Sequence, residues 1–115
     1  VSNTLFGIKN CDTVKKARKW LDTQGINYRF HDFREDGLSK AQVAKWVAEL
    51  GWETLVNKRS TTWKQLDANT RDNLNDSTVV PIILENPTLI KRPLLDTGDS
   101  RRVGFKADDY QQLFA

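Results

Sequence analysis

With 115 residues, 38% of them apolar and 29% charged, the chain can form one modest core and is too short for two self-standing domains. No run is apolar enough for a membrane span and no secretory leader is visible, while a single cysteine suits a reducing compartment, so a cytoplasmic protein is expected. The net charge of +3, spread over 18 basic and 15 acidic residues, fits a small anionic ligand. Without aromatic-basic interleaving or zinc-finger spacing, nucleic acid is not the expected partner.

Residues 4–8 (TLFGI) are short, apolar and followed by a break, as in a buried strand. From Asp12 to Gln24 the spacing of Val14, Ala17 and Leu21 predicts a helix, with Gly25 as its stop. Residues 26–33 then alternate Ile26, Tyr28 and Phe30 with Asn27, Arg29 and His31, the period of a strand. A dozen-residue helix between two strands favours parallel pairing. Ser39 to Leu50 is a marked helix: Ser39 and Gln42 form a capping box, Leu38 can staple onto Val43, and Gly51 closes the end. Residues 52–75 show no strand alternation and read as short helical turns. Thr78 to Leu84 stays open between a strand, from its β-branched content, and a helix with Ser77 as N-cap and Pro81 in the first turn. Leu94 to Asp96 and Arg102 to Phe105 flank a hairpin turn at Thr97-Gly98-Asp99, and Tyr110, Leu113 and Phe114 share one face of a last helix.

Cys11 stands where the first strand gives way to the first helix. Free backbone N–H groups at a helix start favour a thiolate over a thiol, and Lys9, Lys15, Arg59 and Arg92 would add to this if they converge, whereas Asp12 opposes it. A lone cysteine cannot form a disulfide within its own chain, so a reaction cycle through it must borrow a thiol from outside. Asn10 and Thr13 are expected to cap or order the loop. His31 is read as structural or exposed, and the four tryptophans, Trp20, Trp46, Trp52 and Trp63, as packing residues.

The β-α-β, helices, β-β-α order, the Cys11-x-Thr13 segment, Asn57-Lys58-Arg59-Ser60, and above all Pro87-x-Leu89-Ile90-Lys91-Arg92-Pro93-Leu94 resemble the arsenate reductase (ArsC-like) family over nearly the whole chain. The resemblance is nearest to its small YffB-type branch, described as glutathione-dependent thiol reductases; the Spx-type regulators, which bind RNA polymerase, share the fold. It implies a single α/β domain, residues 1–115, of thioredoxin-like fold with a helical insertion, a helix at residues 78–85, and a cis Pro93 facing the cysteine. It also implies Cys11 as nucleophile, with Arg59 and Arg92 at two of the three arginine positions that hold an oxyanion in the arsenate reductases. The third falls at Phe105, with Arg101 and Arg102 near enough in sequence to stand in.

The function so implied is attack by Cys11 on a glutathionyl disulfide or an oxyanion. Glutathione or glutaredoxin then regenerates the thiol, and no bound cofactor or metal is needed. Two alternatives are a glutaredoxin-coupled arsenate reductase and a non-enzymatic Spx-like regulator partnered by RNA polymerase. The second lacks its usual Cys-x-x-Cys switch here, because Val14 stands where the other cysteine would be.

Overall fold

The structure is a computed structural model describing residues 3–115. Its contacts divide the chain into two compact units, one ending at Asp36 and resuming at Arg92, the other running from Gly37 to Lys91.

The first unit is built on a four-stranded sheet of order β2-β1-β3-β4. Strand β1 (Thr4–Gly7) is central, and Leu5, Phe6 and Gly7 are all buried, because a strand covered on both faces must be apolar on both. Helix α1 (Asp12–Thr23) carries β1 over to a parallel β2 (Arg29–Asp32), burying Val14, Ala17 and Leu21 as the helical spacing requires. It ends through Gln24 into Gly25, whose φ of +68° is the left-handed turn that glycine tolerates. β2 is shorter than the alternation suggests. Ile26 donates its N–H back to Leu21 O (3.0 Å), completing the helix end, and pairing starts only where Arg29 N reaches Asn3 O (2.9 Å).

Strands β3 (Leu94–Asp96) and β4 (Arg101–Val103) add antiparallel partners. The expected span of residues 102–105 for the last strand is corrected to 101–103. Gly104 N bonds Pro93 O (2.9 Å), and Phe105 leaves the ladder to pack edge-on against Tyr110 at 4.8 Å. The turn between the strands closes through Thr97 N to Ser100 O (3.0 Å). Leu5 and Leu95 share one sheet face, which Ala17 and Leu21 of α1 and Tyr110 of α7 (Ala107–Leu113) cover. This β-α-β, β-β-α sheet with helices inserted between its halves is the thioredoxin-like arrangement.

Tyr110 is 1% exposed among Trp20, Phe105 and Phe114, and its hydroxyl has no partner among the described residues. Burial pushes the phenol above its ordinary range and keeps it neutral. Because an unpaired buried hydroxyl is a cost, Tyr110→Phe is expected to leave stability unchanged or raise it by up to about 1 kcal/mol. A lowered midpoint in urea unfolding would show that the hydroxyl is in fact bonded.

In the second unit, α2 (Lys40–Leu50) has the expected capping box, with Gln42 N on Ser39 Oγ (3.1 Å) and Ser39 N on Gln42 Oε1 (3.0 Å). Three short helices follow, α3 (Trp52–Leu55), α4 (Thr61–Gln65) and α5 (Ala68–Asp72). The ambiguous segment is a helix, α6 (Val79–Glu85), which packs its Val79, Val80 and Ile83 face with α2 as neighbour. Ser77 is not its N-cap. That place falls to Thr78, and Asn75 Oδ1 accepts the N–H groups of both Ser77 and Thr78 at 2.9 Å.

Candidate active site

Cys11 is the N-cap of α1, in extended conformation (φ −117°, ψ 122°), and its carbonyl accepts Lys15 N at 3.0 Å. The half-buried side chain makes no capping bond, so the sulfur is not committed to the helix's own N–H groups. Of the expectation that Asn10 and Thr13 cap or order the loop, the capping part is not met: Cys11 is the N-cap, and neither side chain is bonded among the described residues. The helix start is set by close packing. A Cβ on Gly7 would lie 2.7 Å from Val14 Cγ2, so the end of β1 and the first turn of α1 meet where only hydrogen fits.

Pairing register decides what surrounds the Cys11 loop. Gly7 pairs with Asp32 and Phe6 with Leu94, so the exits of β1 and β2 and the entry to β3 lie at one end of the sheet. The loop bearing Cys11 and the Arg92-Pro93 segment therefore emerge side by side in the same unit. The Arg92–Pro93 peptide is cis, as the resemblance implies. Arg92 is half-buried, and its guanidinium has no ion-pair or hydrogen-bond partner among the described residues. Arg18, by contrast, lies over Phe30 at 4.2 Å and donates from Nε to Tyr28 Oη (3.2 Å).

The proposed stand-ins for the third arginine fare differently. Arg101 pairs with Asp96 (3.4 Å) at the opposite sheet end, which removes it from the Cys11 end. Arg102 is exposed one rung further in, opposite Leu95. Phe105 itself is turned into the core against Tyr110.

Lys9 is exposed and engaged, its Nζ 2.9 Å from Glu35 Oε2. The hydrogen bond and charge of Glu35 raise its pKa, so its cation is shared with that carboxylate. Asp32, which the sequence reading passes over, is 4% exposed and accepts three backbone N–H groups: Arg34 (2.7 Å) and Glu35 (3.1 Å) on Oδ1, and Lys9 (3.2 Å) on Oδ2. Burial opposes its charge, but the three N–H bonds and the Lys9 cation prevail and hold the carboxyl below its ordinary range. Its stabilising contribution is therefore present above the unfolded carboxylate range and is lost as pH falls through the depressed folded value. An aspartate ending a strand before Arg34-Glu35-Asp36-Gly37 is the available sequence signal, since such side chains bond the backbone two and three residues on. His31 packs its ring on Phe6 at 4.7 Å, as a structural residue does.

In the second unit, Arg59 is exposed on a tightly bonded turn. Asn57 Oδ1 accepts Arg59 N (2.9 Å), Ser60 Oγ donates to Asn57 O (2.7 Å), and the same Oγ accepts Trp63 N (3.1 Å). Lys58 Nζ stands 5.1 Å from the Trp52 ring and 5.9 Å from Trp63, and those rings stack at 6.3 Å. The two tryptophans thus form a half-exposed clamp on the turn, while Trp46 alone of the four is fully in the core. Among the described residues, no group of three or more His, Cys, Asp or Glu is placed to share a metal ion, and no helix is long and apolar enough to cross a membrane.

Comparison with known proteins matches residues 6–113 to the ArsC family. A solved structure named YFFB protein is 40% identical and covers 99% of this chain and 100% of its own, with a TM-score of 0.95. The solution structure of an arsenate reductase (ArsC) related protein from Brucella melitensis is 38% identical, covering 99% and 95%, with a TM-score of 0.79. A global transcriptional regulator Spx from Streptococcus mutans is 30% identical over 108 residues, 92% of this chain and 78% of that protein.

Proposed function

The chain belongs to the ArsC family, and on that premise we propose that it is a glutathione-dependent thiol reductase with Cys11 as its nucleophile. The observation that carries this reading is one juxtaposition: Cys11, a helix N-cap whose sulfur makes no capping bond, and Arg92, half-buried and without a side-chain partner among the described residues, lie on segments that emerge at the same sheet end. The Cys11 thiolate attacks one sulfur of a glutathionyl disulfide. The old S–S bond breaks, its other half leaves as a thiolate, and Cys11 is left in a mixed disulfide. A glutathione thiolate from solution, or a glutaredoxin, then attacks the bound glutathione sulfur and returns Cys11 to its thiolate. Arg92 pairs with a substrate carboxylate and offsets the repulsion between two anions. Arg59 is proposed as a second anion-holding group on its match to the family motif. Lys9, shared with Glu35, and Arg102 are secondary candidates. Asn10, Thr13 and Pro93 shape the loop and its neighbour.

Incubation with oxidised glutathione, followed by mass spectrometry, tests this reading. One glutathione adduct on Cys11, removed by excess glutathione, is the expected result; no adduct would end it. The name of the Brucella melitensis neighbour favours arsenate as a second substrate class, and the same preparation assayed for glutaredoxin-coupled arsenate turnover decides it. Phe105, half-buried against the core, leaves that reading one guanidinium short. The regulator reading predicts co-purification with RNA polymerase and no adduct turnover.

A further inference from the structure

The buried carboxylate of Asp32 takes no part in the chemistry just proposed, yet it is bonded to the loop that delivers the sulfur. Its two oxygens act differently. Oδ1 accepts from Arg34 and Glu35 and closes the turn after β2, whereas Oδ2, among the described residues, accepts from Lys9 N alone, two residues before Cys11. Neither the Asn10 nor the Cys11 N–H has a partner among the described residues. The other tie of this loop, the Lys9–Glu35 ion pair, joins side chains 58% and 61% exposed, where such pairs hold little. Among the described residues, the part-buried Asp32–Lys9 bond is thus the less exposed of the two polar ties on the segment between Ile8 and Cys11.

We infer that Asp32 is a positioning residue for Cys11: through the Lys9 N–H it fixes the loop, and with it the place and direction from which the sulfur attacks. This deepens the reading of Cys11 as nucleophile and rests on it. Misplacing a reacting group by about 1 Å can cost on the order of 100-fold in rate, so one tether this close to the reacting atom is enough to matter.

Asp32→Asn separates the two functions of the carboxylate. The amide keeps its oxygen where two N–H groups meet, which turns its NH2 toward Lys9 N–H, donor against donor. The loop is released while the turn stays closed. Asp36→Asn is the control. Asp36 Oδ2 accepts Asp32 N at 3.0 Å, a bond of the same turn that does not touch the Cys11 loop.

The full-length wild type and both variants are compared for Cys11 alkylation by iodoacetamide at pH 7, for kcat and KM with the cysteine–glutathione mixed disulfide as substrate and glutathione as reductant, which releases cysteine and oxidised glutathione, and for Lys9 amide exchange. In Asp32→Asn the alkylation rate and kcat are expected to fall about 5- to 20-fold, with KM within about twofold and Lys9 exchange faster. Asp36→Asn should keep the Cys11 rate within about twofold of wild type. A Cys11 rate in Asp32→Asn within twofold of wild type overturns the inference, as does equal slowing in both variants. Should Asp32→Asn fail to fold, the wild type still decides. Lys9 N–H protected together with Arg34 and Glu35 supports the tether, and exchange at the rate of an unstructured chain overturns it. Absence of a glutathione adduct on wild type removes the proposed function alone, because the alkylation ratio judges Asp32 without that substrate.

Discussion

Arg92→Ala is expected to slow the attack of Cys11 on oxidised glutathione by about 10- to 100-fold, or ~1.4–2.7 kcal/mol of transition-state stabilisation. Cys11→Ser is expected to reduce it to the uncatalysed background. Because the Arg92 guanidinium is bonded to nothing among the described residues, its removal should leave the folding midpoint unchanged, which distinguishes a substrate contact from a structural one. A neutral aromatic disulfide supplies the second comparison. It has no carboxylates for the guanidinium to hold, so its rate with Arg92→Ala should stay within about threefold of wild type. Equal slowing of both disulfides would show that Arg92 acts on the sulfur or its loop and not on the anion.

Gly7→Ala is expected to cost about 1–3 kcal/mol in urea unfolding. Gly7 has no positive φ, so the demand on it is for space and not for glycine's conformational freedom. The added Cβ meets Val14 Cγ2 at 2.7 Å, and Val14, fully buried, cannot swing away. Either β1 or the first turn of α1 must move, and Cys11 moves with it. Combining the change with Val14→Ala removes both offending methyls, so the pair should be less damaging than the sum of its parts by at least about 1 kcal/mol. Simple additivity would mean that the strand end and the helix start do not press on each other.

Local signals were sufficient for much of the architecture. The 3.6-residue spacing of Val14, Ala17 and Leu21, the Ser39/Gln42 capping box and the glycine stops each act within a few residues, and each matches the structure. Residues 79–85 could not be assigned from local preference. β-branched side chains and a first-turn proline point in opposite directions, and the choice falls to packing with α2 as neighbour. Strand ends were misplaced for a similar reason. Ile26 is held by the preceding helix, and Phe105 is drawn to Tyr110, both by partners outside the alternating stretch.

In the candidate site, Cys11 was legible because a helix start is a sequence feature, and Arg92 because its motif is long. Lys9, expected among the charges that favour the thiolate, is shared with Glu35 from beyond another strand's end. Asp32 was invisible as part of the site because two of its three donors are local and ordinary, while the third, Lys9 N, lies 23 residues away.

Contacts along the chain set the order of the elements, the kind of most of them, and the presence of one sulfur at a helix start, the segment at residues 79–85 excepted. Which residues share that sulfur's end of the sheet was set by pairing between distant segments. Strand register put Asp32 and Arg92 at the Cys11 end of the sheet and Arg101 at the other, because register depends on pairing between strands far apart in the chain, which no local pattern specifies.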